Sequence, residues 1–185
     1  MPDTLALWHA DHVNFAKLLD LLEDQLELFH EGGSPEYELM LDIMYYMTHY
    51  SDVLHHPKED LVFAKVKERE KSAGPKVDEL TKQHLCLKEG GDELVHAIDD
   101  VVNGSISSRE QVEACARSYI TSLRSHMRTE ETEILPLAAR LLHESDWSAI
   151  HARIGHIEDP LFGTSAEKRY AALRQRIERQ AQARD

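Results

Sequence analysis

Three clusters of glycine, proline and small polar residues decide what this chain can become. Glu31-Gly32-Gly33-Ser34-Pro35, Ser72-Ala73-Gly74-Pro75 and Asn103-Gly104-Ser105 cut the first 145 residues into four long stretches, roughly 5–30, 36–70, 76–103 and 108–143, because Gly and Pro mark where helices stop. Each stretch is rich in Leu, Glu, Lys, Ala and Met, with apolar residues every three or four positions rather than every two. That period belongs to amphipathic helices and gives a sheet no support. Short loops force neighbouring helices to be antiparallel. The expected fold is all-α: an antiparallel up-down-up-down four-helix bundle over residues 1–145, with an additional C-terminal helical extension over 146–185.

In the extension, Trp147, Ile150, Ile154 and Ile157 precede the break Asp159-Pro160-Leu161-Phe162-Gly163, and a last helix starts near Ala166. From Glu167 onward the net charge is +3, whereas the whole chain, with 21 Lys and Arg against 34 Asp and Glu, carries -13. The basic tail is expected to lie on the acidic bundle, its stripe of Tyr170, Leu173 and Ile177 packing there or forming a homodimer contact. The acidic surface repels phosphate backbones, which excludes nucleic-acid binding by the chain as a whole. Only two cysteines, Cys86 and Cys115, occur, so a disulfide scaffold is excluded, and their different heights predict packing rather than a bridge. No run approaches the ~18 apolar residues of a membrane span. A cytoplasmic protein without a membrane partner is expected.

The chain holds 12 histidines, and their azimuths on the helices separate them, since a helix turns by a fixed angle per residue. His12 shares its stripe with Leu5, Trp8, Ala16, Leu19 and Leu26, whereas His9 reads as a flank residue. In His55-His56-Pro57-Lys58-Glu59-Asp60 two registers compete. His55 and Glu59 share a face with Leu41, Met44, Thr48, Val62 and Val66, so they are expected to point inward. His56 and Asp60 fall with Glu38, Asp42, His49 and Lys67, the minority register. Pro57 is expected to strain this helix by removing a backbone donor. His84 lies on the cleanest stripe, Val77, Leu80, Leu87, Val95, Ile98 and Val102, and His126 and Glu130 share a face with Cys115, Tyr119, Leu123, Leu137 and Leu141.

Height gives a second test. At ~1.5 Å per residue His12 and His84 lie roughly 10–12 Å from one end of the bundle, and the two His/Glu pairs roughly 2–9 Å from it. Six side chains, His12, His55, Glu59, His84, His126 and Glu130, therefore converge in azimuth and height. Four imidazoles and two carboxylates exceed the four ligands of a structural zinc site. Two ions fit better, with the glutamates bridging and the imidazoles capping. Mixed N and O donors without thiolate suit iron, with manganese or zinc as alternatives, and an oxo or hydroxo bridge is expected between the ions. The open positions would take dioxygen, peroxide, nitric oxide or solvent. The ExxH pairs of a ferritin-like centre have weaker counterparts, Glu27 with His30 and Glu93 with His96, near loops and off the stripe. Tyr119 and Ser122 are expected to pack beside the site or to hydrogen-bond to its ligands, and Gly90-Gly91 to allow close helix approach there.

With these residues, the chain resembles the hemerythrin-like, or HHE cation-binding, family. The resemblance rests on Asp11-His12, on His55 to Asp60, on His84, and on His126 to Glu130 continued as Glu131 to Leu135-Pro136. It covers roughly residues 5–143 and implies a carboxylate-bridged non-haem di-iron centre held by His12, His55, Glu59, His84, His126 and Glu130. Oxygen-carrying members have a second histidine one turn after the first in the third helix, where this chain has Lys88. That departure weighs against reversible oxygen carriage and towards oxidation, peroxide breakdown or nitric oxide binding in oxidative or nitrosative stress. A carrier or sensor module and a peroxide-consuming enzyme both remain open here, with iron storage disfavoured. No residue identifies a redox partner.

Overall fold

The computed structural model describes residues 3–104, 109–154, 158–164 and 167–184. They form helices, with no strand among them. The first rod is α1 (Asp3–His30). The second is α2 (Tyr37–Tyr46), a π-helical segment (Met47–His55) and α3 (His56–Arg69) in one run. A 3-10 turn, Lys71–Ala73, leads into the third rod, α4 (Gly74–Val102). The fourth comprises α5 (Arg109–Thr129), a π-helical segment (Glu130–Ile134) and α6 (Leu135–Leu141). The extension holds α7 (Glu144–Ile154), a 3-10 turn (Lys168–Tyr170) and α8 (Ala171–Arg184).

The breaks fall where glycine and proline put them. Gly32 and Gly104 adopt φ of +80° and +72°, the left-handed conformation that ends a helix and that only glycine takes without strain. Beyond α1, the Gly33 N–H donates to the Leu28 carbonyl at 2.8 Å, satisfying one of the terminal acceptors. Three prolines, Pro57, Pro75 and Pro136, lie in the first turns of α3, α4 and α6; at the start of α4 the missing N–H removes no helical bond, and in the continuous second and fourth rods the proline follows a π-helical turn, whose wider ring leaves it room. The strain expected at Pro57 is therefore relieved: the π-helical segment ends just before it and a new α-helix starts around it.

Two apolar clusters sandwich one polar level. One contains Phe15, Leu18, Leu22, Ile43, Met44, Leu87, Leu94, Ile120 and Leu123; the other contains Trp8, Val62, Phe63, Val66, Val77, Leu80, Ile134 and Ala138. On each rod the polar level falls between them: His12 between Trp8 and Phe15, His84 between Leu80 and Leu87. The extension closes the flanks. Tyr170 and Leu173 of the tail are buried against the first cluster, with Ile177 beside them, so this stripe packs within the chain. The Arg169 guanidinium sits 3.1 Å from the Tyr45 ring centroid and Arg176 pairs with Glu36, which brings the basic tail onto acidic ground as its charge predicts. Trp147 and Ile150 of α7 join the second cluster. Cys86 and Cys115 are free thiols. Among the described residues no helix is long and apolar enough to cross a membrane.

Leu26 is fully buried and lies along α1 well beyond the polar level. Leu26→Ala should lower unfolding stability by about 2–5 kcal/mol with metal content unchanged, as read by urea denaturation and metal analysis of the same sample.

Candidate metal centre

Five buried histidines and two buried glutamates occupy the polar level: His12, His55, His56, His84 and His126 with Glu59 and Glu130, both glutamates wholly shielded from solvent. The six side chains expected to converge do meet. His55 Nε2 lies 3.2 Å from His12 Nε2. Glu59 Oε1 is 3.1 Å from His55 Nε2 and 3.3 Å from His12 Nε2, while its Oε2 is 3.7 Å from His84 Nε2. Glu130 Oε1 is 3.0 Å from His126 Nε2 and 3.5 Å from His84 Nε2, while its Oε2 is 3.5 Å from His12 Nε2. Each carboxylate thus spans from the His12 side of the level to the His84 side.

Orientation comes from a second layer. Nδ1 of His12 bonds Glu131 at 2.8 Å, Nδ1 of His55 bonds Asp11 at 2.9 Å, Nδ1 of His84 bonds Asp60 at 3.0 Å, and Nδ1 of His126 bonds the Gln83 carbonyl oxygen at 2.9 Å. A carboxylate or amide oxygen at Nδ1 fixes the proton there and leaves the Nε2 lone pair facing inward. The four acceptors share a pattern. Asp11, Asp60, Gln83 and Glu131 are each the chain neighbour of an inward residue, and each reaches a histidine on a different rod. The rods are tied in a closed ring: first to second, second to third, third to fourth, fourth to first.

This arrangement fits a cation. None of the described residues donates a hydrogen bond to the four carboxylate oxygens of Glu59 and Glu130 or pairs with Nε2 of His84 and His126; the 3.0–3.7 Å approaches between them are misaligned for hydrogen bonding. Buried carboxylates without donors cost several kcal/mol or more. Two Nε2 lone pairs 3.2 Å apart repel unless a positive charge lies at them. In the ion-free chain protons take that role. Burial opposes charge on His55, but the Glu59 carboxylate and Asp11 outweigh it and push the imidazole up to about 10. At His84 burial is likewise overcome by Asp60 and Glu130, up to about 9. Glu59 moves the other way: burial would raise it, yet the positive charge of His55 and the His12 imidazole close beside it hold it well below the usual carboxylate range. Donor atoms of two sets lie within 4.8 Å of one another, His12 with His55 and Glu59, and His56 with Glu59, His84 and His126. Glu59 belongs to both.

His56 corrects the expected register. A constant angular step puts it on the outward face with Asp60, yet it is buried beside His55. The reason is the π-helical segment Met47–His55, whose i→i+5 bonding puts more residues in each turn and breaks the fixed angular step assumed along this rod. Asp60 stays at the margin as the partner of His84. His9 is largely exposed and bonds Glu131 at 3.0 Å. His49 is exposed and stacks on Tyr45, ring centroids 3.7 Å apart. Lys88 is exposed and pairs with Asp92 at 3.0 Å. His30 and His96 are exposed at other levels. Gly91 does mark a close approach, because a Cβ there would meet Thr48 Cγ2 at 3.1 Å and Tyr119 Cε2 at 3.4 Å; Tyr119 packs against it. The sequence reading assigns none of Asp11, Asp60, Gln83 and Glu131 as a partner of a histidine, although each stands next to an inward residue.

An all-helical chain with a buried imidazole and carboxylate cluster fitted to a cation defines a class of metal-binding protein. Residues 3–138 match the family model described as the hemerythrin HHE cation binding domain, and the chain belongs to that family. Searches of curated proteins and of solved structures returned no match.

Because cations displace the protons on His55 and His84, metal uptake should release protons. Both folded values lie above the ordinary 6.5, so in the ion-free protein their stabilisation is complete below that pH and is lost as pH rises through about 9 to 10. Metal affinity should climb as pH rises towards that range and level off above it, where no proton remains to be displaced. Zinc titrations at pH 6.5 and 8.5 should show tighter binding at the higher pH; equal affinities would contradict the protonation assigned here. Asp60→Ala, which frees the His84 ring, should weaken binding about 10- to 100-fold with little change in the helical circular dichroism signal.

Proposed function

We propose that this chain is a non-haem di-iron protein that binds or reacts with a small oxidant, dioxygen, peroxide or nitric oxide, at a carboxylate-bridged centre held by His12, His55, Glu59, His84, His126 and Glu130. The observation that carries the reading is the pair of buried carboxylates without hydrogen-bond donors, each reaching imidazoles on both sides of the level. One cation would satisfy one side only. Imidazole and carboxylate without thiolate favour iron, with manganese or zinc as alternatives. Two bound iron ions would supply electrons to an oxidant and open positions for it.

The protein's own residues do the rest. Asp11, Asp60, Gln83 and Glu131 aim the imidazoles, and Glu59 and Glu130 hold negative charge between them. The apolar layers through Phe15 and Leu87 on one side and Trp8, Phe63 and Leu80 on the other exclude bulk water, which restricts the site to small ligands. The reading takes the four rods as an up-down-up-down bundle over residues 1–145 with 146–185 laid on it as an extension. Short connections and the buried Tyr170 and Leu173 support that division. Absence of a second histidine at Lys88 supports oxidant chemistry over oxygen carriage.

Metal analysis of protein from iron-supplemented cells should give two irons per chain and an absorption spectrum that changes with peroxide and azide. His84→Ala and Glu130→Ala should each lose metal. Catalytic peroxide consumption would assign an enzyme, and a stable adduct without turnover a binding module. A folded chain without bound metal after iron loading would overturn the proposal.

A further inference from the structure

His56 is buried, polar and outside the ligand set given above. Its ring stacks on that of His84, centroids 4.3 Å apart and 8° between planes, and stands edge-on to His126 at 5.6 Å. Its Nδ1 lies 3.2 Å from Asp52 Oδ1 without forming a hydrogen bond, and both Asp52 oxygens are buried and unpaired. Its Nε2 lies 3.2 Å from the Ser51 hydroxyl. A histidine kept only for packing would have its polar atoms paired or its place taken by leucine, since an unsatisfied buried polar group costs about 1–3 kcal/mol. Here an imidazole and a carboxylate are both buried with unused capacity, beside two other imidazoles.

The neighbouring rods explain why. α4 offers a single imidazole to this side of the level, because one turn beyond His84 the chain has Lys88, exposed and paired with Asp92. The second rod supplies what α4 lacks: the π-helical segment turns two consecutive histidines inward, His55 towards His12 and His56 towards His84 and His126.

We infer that His56 is a metal ligand of this chain, completing a three-imidazole position with His84 and His126 that shares Glu59 with the two-imidazole position of His12 and His55. Asp52 is its positioning residue, placed to hold Nδ1–H once Nε2 leaves the Ser51 hydroxyl for an ion. The inference rests on the dinuclear reading and makes the two positions unequal.

Cobalt(II) is the probe, because its visible bands report ligand number and type. The full chain and His56→Leu are titrated, with His49→Leu as an exposed-histidine control and circular dichroism to check folding. The wild type and the control should take two cobalt ions per chain. His56→Leu should keep one at wild-type affinity, bind the other at least 10-fold more weakly, and show an altered band for it. Two equivalents at wild-type affinity with an unchanged spectrum in His56→Leu would overturn the inference and leave the dinuclear reading standing. A wild type that takes up no cobalt, or only one ion, would overturn both. Should His56→Leu not fold, a crystal structure of cobalt-loaded wild type decides: a His56 nitrogen about 2.1 Å from an ion supports the assignment, and a ring turned away from both ions refutes it.

Discussion

The structure depends on a ring of four hydrogen bonds in which each rod holds a histidine of another rod by the nitrogen that faces away from the centre. Asp11, Asp60, Gln83 and Glu131 accept from His55, His84, His126 and His12. Without these bonds the imidazoles could flip or take the other tautomer, and four lone pairs would not converge. With them the inner nitrogens and the two glutamates form a concentrated patch of electron density inside a low-dielectric core. That patch is costly unless a cation or protons occupy it, so occupancy and folding are linked. The remaining apolar clusters serve two ends at once, supplying burial energy and keeping water away from the centre.

Three of the four acceptors are carboxylates and the fourth is the Gln83 amide. A carboxylate at Nδ1 makes the opposite nitrogen a stronger metal donor than an amide does, and His126 is the one imidazole of the ring held by an amide. Glu130, 3.0 Å from His126 and one turn further along the same rod, supplies negative charge on that side. The π-helical segments sit at the two places where a rod must present a His/Glu pair, Met47–His55 ahead of Glu59 and Glu130–Ile134 behind His126. Each ends just before a proline, Pro57 or Pro136. Proline cannot donate to the carbonyl four residues earlier and its ring crowds it; widening the preceding turn relieves the conflict and re-aims the side chains.

Much of this was legible in the residues. Gly32, Gly104 and the prolines fixed the breaks, and a period of three to four fixed the helices. His12, His84, His126 and Glu130 lie on strong apolar stripes where the helices are regular at those positions. The reading lost its footing in the second rod, because a constant angular step cannot survive nine residues of π-helix, so one of two adjacent inward histidines went to the outer face. The doubled histidine followed by proline, in His55-His56-Pro57, is the signal that could have flagged the irregular turn. The second layer was hidden for another reason. Gln83 and Glu131 face sideways between rods, where azimuth on a single helix does not say which neighbour a polar side chain meets. The tail stripe was recognised, but its choice between the chain and a second copy depended on Tyr45, Tyr46 and the other residues it covers.

The central claim is that the ring of aimed imidazoles encloses two cations that share a glutamate. Anomalous diffraction at the iron edge from crystals of iron-loaded protein tests it most directly. Two peaks inside the level, about 3.5–4 Å apart and flanking the Glu59 carboxylate, are the predicted result. A map with no peak between His12 and His126, or with iron only on surface carboxylates, would contradict the account.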